Sequence, residues 1–272
     1  MNIAQQAEGF VLVGGASARM GRDKALLELG GVPLLVYTAR IVQQALKESA
    51  MRIRGLNRAN DAVSVAGEAA SANEVRAVSS HEIEGAGSGG YGTDAADSAS
   101  EVSSASKVRA IGSPVSYGAL GVTVVPDEWP GAGPLGGIAT ALRASQQPWN
   151  LIVACDLPYL TTAWLAYLLS RVASLSAAGS GAEAIVPINA GGPEPLCAIY
   201  HKRAEPKIVA ALDVGDRKVK AILKSLQIET IEPREWKAFD SDGLLFKNMN
   251  TPADYEEAVA RLGGGAGNRA RT

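Results

Sequence analysis

Short apolar runs alternate with amphipathic stretches along this chain of 272 residues. Phe10-Val11-Leu12-Val13 reads as a first strand that empties into Gly14-Gly15. From Pro33 to Leu46, the apolar positions Leu34, Leu35, Ala39, Val42 and Leu46 recur near helical spacing, which predicts a helix. Further strands are expected at Ala62 to Ala66, Val122 to Val125, Leu151 to Cys155, Ala184 to Pro187, Leu196 to Tyr200 and Ile228 to Ile231. Pro134 opens a helix with Leu135, Ile138 and Leu142 on one face, and proline suits that first position. Thr161 or Thr162 caps a helix over Ala163 to Leu175, and Thr251 caps a terminal one over Pro252 to Leu262. Two more helices are expected at Pro206 to Leu212 and Val219 to Leu226.

Strands alternating with helices predict an α/β fold with a mainly parallel sheet covered on both faces. Ligands of such sheets bind at the carboxyl ends of the strands. One stretch breaks the pattern. From about Glu68 to Pro114 the chain is mostly Ala, Ser, Gly and Glu with almost no large apolar residues. It reads as a disordered insertion in one domain spanning 1–262, and Gly263 to Thr272 reads as a frayed tail. A lid over a site is the sharper alternative for the insertion.

Composition narrows the class. Hydrophobic residues make up 47% and aromatics only 5%, so the core must be largely aliphatic. With 26 basic and 28 acidic residues, the formal charge is −2. That balance gives no reason to expect nucleic acid or an anionic membrane as partner. Cys155 and Cys197 lie in apolar runs, where a reduced thiol acts as a small hydrophobe, so a cytoplasmic protein without disulfides is expected. Met1 to Gly9 is polar and unlike a signal peptide, and no apolar run is long enough to span a bilayer.

The candidate chemistry falls at the expected carboxyl ends. Gly14 to Leu27, GGASARMGRDKALL, couples a glycine-rich turn to two cations, Arg19 and Lys24. Backbone N–H groups in such a turn approach an anion closely, and the cations neutralise it. The run is not a Walker A loop, since Lys24 follows Asp23 and no Ser or Thr follows the lysine. Asp156 comes straight after a buried strand, where a carboxylate is costly unless solvated or paired. A Mg²⁺ ion bridging phosphates needs a carboxylate there, although support of the following helix is the plainer role. Asp127 ends another strand, ahead of the flexible Gly131 to Gly137. Asn248 and Asn250 sit at a helix entry and could hydrogen-bond a polar ligand, while Arg217 and Lys218 open a helix. His81, His201 and the tryptophans suggest packing or solvation, since no metal-ligand cluster or nucleophile–base pair forms around either histidine.

Taken together, LVGGASARMGRDKALL, VVPDEWPGAGPLGGI, ACDLPYL, EPLCAIY, GDRKV and NMNTPADY resemble, in order, the motifs of the molybdenum cofactor guanylyltransferase (MobA) family. The first and third are the most specific. The resemblance implies a Rossmann-like three-layer sandwich of the nucleotide-diphospho-sugar transferase type. It implies an enzyme that joins GMP from GTP to molybdopterin, free or molybdenum-bound, releasing pyrophosphate and forming the guanine dinucleotide cofactor. By position, Leu12, Val13, Gly14 and Gly15 would line the nucleotide, with Asp127 also in contact. Arg19 and Lys24 would hold the triphosphate, Asp156 would ligate Mg²⁺, and Asn248 and Asn250, with Arg217 and Lys218, would face the pterin side. Molybdenum cofactor biosynthesis proteins and recipient molybdoenzymes are the further partners it implies. The chain departs from the family at Ala66-Gly67, where an asparagine is frequent. The alternatives are a cytidylyl- or sugar-phosphate nucleotidyltransferase and a non-catalytic nucleotide sensor.

Overall fold

The computed structural model describes residues 7–14, 23–51 and 108–263. The strands are β1 (Ala7–Leu12), β2 (Glu28–Leu29), β3 (Val32–Pro33), β4 (Val108–Gly112), β5 (Thr123–Pro126), β6 (Trp149–Ala154), β7 (Ala184–Asn189), β8 (Gly192–Pro193), β9 (Cys197–His201) and β10 (Ile228–Ile231). The α-helices are α1 (residues 34–51), α2 (Pro114–Tyr117), α3 (Pro134–Ala144), α4 (Thr162–Ala177), α5 (Glu205–Asp213), α6 (Val219–Ile222), α7 (Pro233–Trp236) and α8 (Pro252–Leu262).

The main sheet runs β10-β7-β9-β6-β1-β4-β5, with β8 beside β7. The pairs β1–β4, β1–β6, β4–β5 and β7–β10 are parallel, and β9 runs antiparallel to both β6 and β7. Both faces are apolar because alternate strand residues point to opposite sides. Phe10 pairs in register with Ile152, which pairs with Ala198, and all three face the layer of α3, α5 and α6. Val11 pairs with Val153, which pairs with Cys197, and these face the layer of α1, α4 and α8. A helix layer on each side of the sheet is the three-layer arrangement expected from the sequence.

Leu34, Leu35, Ala39, Val42 and Leu46 all lie in the core, as their spacing requires. Close packing of α1 depends on Gly9 in β1, where a Cβ would lie 2.4 Å from Val42 Cγ1. Thr161 caps α4 by accepting from Trp164 N–H, and Thr251 caps α8 in a reciprocal pair with Asp254.

One boundary needs correction. The stretch expected to be insertion as far as Pro114 contains β4, which lies between β1 and β5 with Val108, Ala110 and Ile111 buried. Its last residue is closely covered: over Gly112, the Tyr117 ring and Val13 leave about 3 Å for a Cβ. Gly263, expected in the tail, forms the C-cap of α8. The strand expected at Ala62 to Ala66, the rest of the insertion and residues 264–272 lie outside the described residues.

Candidate active site

The parallel strands deliver their carboxyl ends to one edge of the sheet, and the expected polar residues gather there. Asp156 follows β6 by two positions. Its backbone is fixed on one side, since its carbonyl accepts the N–H of Met249 at 2.9 Å. The preceding Cys155 donates its N–H to Leu12 O at 3.1 Å, and its carbonyl accepts the Thr38 hydroxyl at 3.5 Å. The strand end is therefore tied to β1, α1 and the segment leading into α8.

Lys24 reaches the same point from the one-turn helix Lys24–Leu26. Its Nζ donates to Asn250 Oδ1 at 2.8 Å and lies 3.5 Å from Asp156 Oδ2. These side chains come from three separate motifs, and 226 positions separate Lys24 from Asn250. Both charged side chains keep water access, at 20% and 29% exposure, so the pair is neither deeply buried nor freely solvated. Asn250 is positioned by the cap of α8, where Asp254 Oδ2 accepts the N–H groups of Asn250 and Thr251. Asn248 is exposed on the same segment.

Gly14 leaves β1 at φ +134°, a conformation that favours glycine, with open space where a Cβ would sit. Leu12 and Val13 have part of their backbone committed to the sheet: Leu12 O accepts from Cys155 and Val13 donates to Ile111 O at 3.0 Å. Gly15 and Arg19 lie outside the described residues.

Asp127 stands apart from the cluster. It follows β5, three strands from β6, a separation of about 14 Å at ordinary strand spacing. Its Oδ1 accepts from Trp129 N–H at 3.0 Å and from the buried Thr140 hydroxyl at 3.1 Å, which shapes the turn into α3. Arg217 reaches this side of the edge, donating to Gly131 O at 3.0 Å, while Lys218 is exposed. The edge thus carries two groups: Lys24, Asp156 and Asn250 at its centre, and Asp127 with the Gly131 loop and Arg217 on one flank. At the carboxyl end of β7 lies an open cleft lined by Asn189, Gly191, Trp236, Asp240, Phe246 and Lys247.

The cysteines offer no nucleophile. Burial, reinforced by the charges of Asp156 and Asp23, pushes the Cys155 thiol far up. Burial pushes Cys197 up to about 12, although Trp164 Nε1 donates to its sulfur. His201 lies at the opposite edge, paired in register with Trp149 at the start of β6.

Sequence reasoning passed over two residues beside Lys24. Asp23 caps the one-turn helix Lys24–Leu26, and its second oxygen accepts the Tyr117 hydroxyl. An Asp ahead of a short turn was a visible cap signal. Tyr117 carried none, since it falls just past the stretch poor in apolar residues.

Known proteins agree with this architecture. A probable molybdenum cofactor guanylyltransferase from Bacillus cytotoxicus is 29% identical over 129 residues, covering 47% of this chain and 60% of that protein. One from Methanothermobacter thermautotrophicus is 37% identical over 135 residues, covering 49% and 64%. The chain therefore matches somewhat under two thirds of the length of each of these relatives. A solved structure of molybdopterin-guanine dinucleotide biosynthesis protein A from Archaeoglobus fulgidus superposes with a TM-score of 0.60 at 20% identity, covering 93% of this chain and 97% of the other. That likeness establishes a shared fold. Residues 9–88 and 94–231 match the MobA-like NTP transferase domain, and the chain belongs to that family.

Proposed function

We propose that the protein is a molybdenum cofactor guanylyltransferase, moving GMP from GTP to molybdopterin and releasing pyrophosphate. The observation that carries this reading is the convergence of Lys24, Asp156 and Asn250 at the carboxyl edge, within a fold and family that transfer nucleotides. The names of the curated relatives supply the base and the acceptor.

In the reaction, an oxygen of the acceptor phosphate attacks the α-phosphorus of GTP. The bond from that phosphorus to the bridging oxygen breaks, and pyrophosphate leaves with the electron pair. The acceptor phosphate is already largely ionised near neutral pH, so the chain's task is charge neutralisation and positioning. Lys24 supplies a positive charge for the phosphates, and Asn250 orients its ammonium. Arg19 adds a second cation from the same sequence motif. Asp127 and the Gly131 loop suit the nucleoside side, while Asn248 and the cleft beside β7 leave room for the acceptor.

The donor set fits Mg²⁺. This ion takes oxygen ligands and is held by one or two carboxylates together with substrate phosphates and water. Asp156 offers one partly exposed carboxylate beside the phosphate-binding lysine, and the described residues gather no group of three or more His, Cys, Asp or Glu. When bound, the ion neutralises phosphate charge. Two buried free cysteines and anionic small-molecule substrates are consistent with the cytoplasm. Among the described residues, no helix is long and apolar enough to cross a membrane.

The test is thermal protection by GTP, CTP, ATP and UTP, each with Mg²⁺. A ligand at about 100 times its dissociation constant adds about 2.7 kcal/mol, which is readily seen as a melting shift. GTP should give the largest shift. A larger shift with CTP would reassign the protein to the cytidylyl branch.

A further inference from the structure

Lys24 is held from behind as well as in front. Asp23 precedes it, and each carboxylate oxygen of Asp23 has a separate partner. Oδ1 accepts Ala25 N–H at 3.0 Å, capping the turn that carries the lysine. Oδ2 accepts the Tyr117 hydroxyl at 2.6 Å, within the range of a charge-assisted O–H···O⁻ bond. Tyr117 ends α2 and is 6% exposed. Its ring lies over Gly112, where a Cβ would sit 3.1 Å from Tyr117 Cε2 and 3.2 Å from Val13 O. The phenol is therefore wedged at the ends of β4 and β1, two paired strands of the main sheet.

A lysine ammonium sits on a flexible stem, so its aim depends on how firmly its backbone is held. The turn Lys24–Leu26 is only three residues long and cannot hold itself. We propose that Tyr117 and Asp23 are positioning residues, which transmit the fixed geometry of β4 to the turn and aim Lys24 at Asn250 and Asp156. The proposal rests on the reading that Lys24 holds the nucleotide phosphates. It differs from a ligand role for Asp23, because both of that residue's oxygens already have partners within the chain.

The test compares Tyr117→Phe in the wild-type and Lys24→Ala backgrounds, reading Mg²⁺-dependent pyrophosphate release from GTP with molybdopterin, melting temperature, and acetylation of Lys24 by an amine reagent. Residues acting through one another give non-additive effects. Tyr117→Phe keeps the ring and should lower kcat on the order of tenfold with little change in melting temperature, since small misplacements of catalytic groups are costly. In the Lys24→Ala background it should cause no further loss. Acetylation of Lys24 should rise several-fold in Tyr117→Phe. Asp23→Asn keeps one acceptor oxygen for the two donors, Ala25 N–H and the Tyr117 hydroxyl, so it should also lower kcat, with an unchanged Mg²⁺ requirement. An equal loss in both backgrounds would overturn the proposal, as would unchanged acetylation or an Asp23→Asn enzyme that needs far more Mg²⁺. If no nucleotide is transferred by the wild-type protein but acetylation responds to Tyr117→Phe, the positioning role stands and the transfer reading fails.

Discussion

Lys24 and Asp156 form a pair whose charges compensate each other until a more highly charged ligand arrives. On the proposed reaction, Lys24→Ala removes a cation that serves bound GTP as well as the transition state. KM for GTP should therefore rise while kcat falls, as steady-state kinetics will show. Asn250→Ala removes only the acceptor that orients the ammonium and leaves the cap of α8 on its backbone partners. Its effect should be smaller, roughly tenfold or less in kcat/KM. The plainer role of Asp156, support of the following helix, fits poorly with the geometry. The helix α4 begins at Thr162 and already has its cap in Thr161, so Asp156 stands outside the first turn, where dipole effects act. At this scale the short motifs of Lys24 and Asp156 were visible in the sequence, and the structure brings the two side chains within 3.5 Å of each other. It could not reveal that Asn250 would touch Lys24, because that contact depends on how α8 docks at the far end of the chain.

Among the elements, β1 packs closely against α1 at Gly9, where a Cβ would meet the Val42 Cγ1 methyl at 2.4 Å. Gly9→Ala should cost about 1–3 kcal/mol, measured by denaturant unfolding. The neighbourhood of β9 sets a pH dependence. Burial, and then the charge of Arg203, push the His201 imidazole down to about 4, with Glu183 opposing. The unfolded chain takes up this proton near pH 6.5 and the folded chain only near 4, so between these values the unfolded state binds more protons. Stability should fall as pH drops through that window. His201→Gln should flatten the loss, read from melting temperatures between pH 7 and 4. Glu183 acts in the same direction. Burial disfavours its charge, but the hydrogen bonds from Lys207 and Gln227 N–H outweigh this and hold its carboxyl below the ordinary range. Its contribution is likewise lost only at acid pH.

Across the molecule, alternation of apolar runs was enough to place the helices α1, α3, α4, α5 and α8 and strands β1, β5, β6, β7, β9 and β10. The chief omission was β4. Its sequence, Val108-Arg109-Ala110-Ile111-Gly112, is short and follows a long stretch rich in Ala, Ser and Gly, so local composition hid a strand that tertiary pairing with β1 and β5 defines. Arg109 even places a charge in the strand, paired with Glu8 at 2.7 Å across the sheet. The short hairpin of β2 and β3 was missed as well, despite Gly30-Gly31 at its tip. The corrected boundary separates two deletions. Replacing 69–113 by a Gly/Ser linker removes β4 and should abolish cooperative unfolding. Replacing 69–105 keeps β4, and loop closure depends only weakly on length, at about 0.6 kcal/mol per doubling. That shorter deletion should retain folding and the GTP-induced melting shift. Loss of transfer with folding intact would favour the lid reading of the segment.

The central claim is that Asp156 serves metal-assisted nucleotidyl transfer at the edge where Lys24 and Asn250 meet. The most direct measurement is Mg²⁺-dependent pyrophosphate release from GTP with molybdopterin, taken on wild type and Asp156→Asn, with melting temperatures from the same samples. A metal-held transition state is worth several kcal/mol, and each ~1.4 kcal/mol is a factor of ten in rate. Release should fall on the order of a hundredfold or more in Asp156→Asn, with the melting temperature little changed. Near-normal release with an unaltered Mg²⁺ dependence would contradict the account.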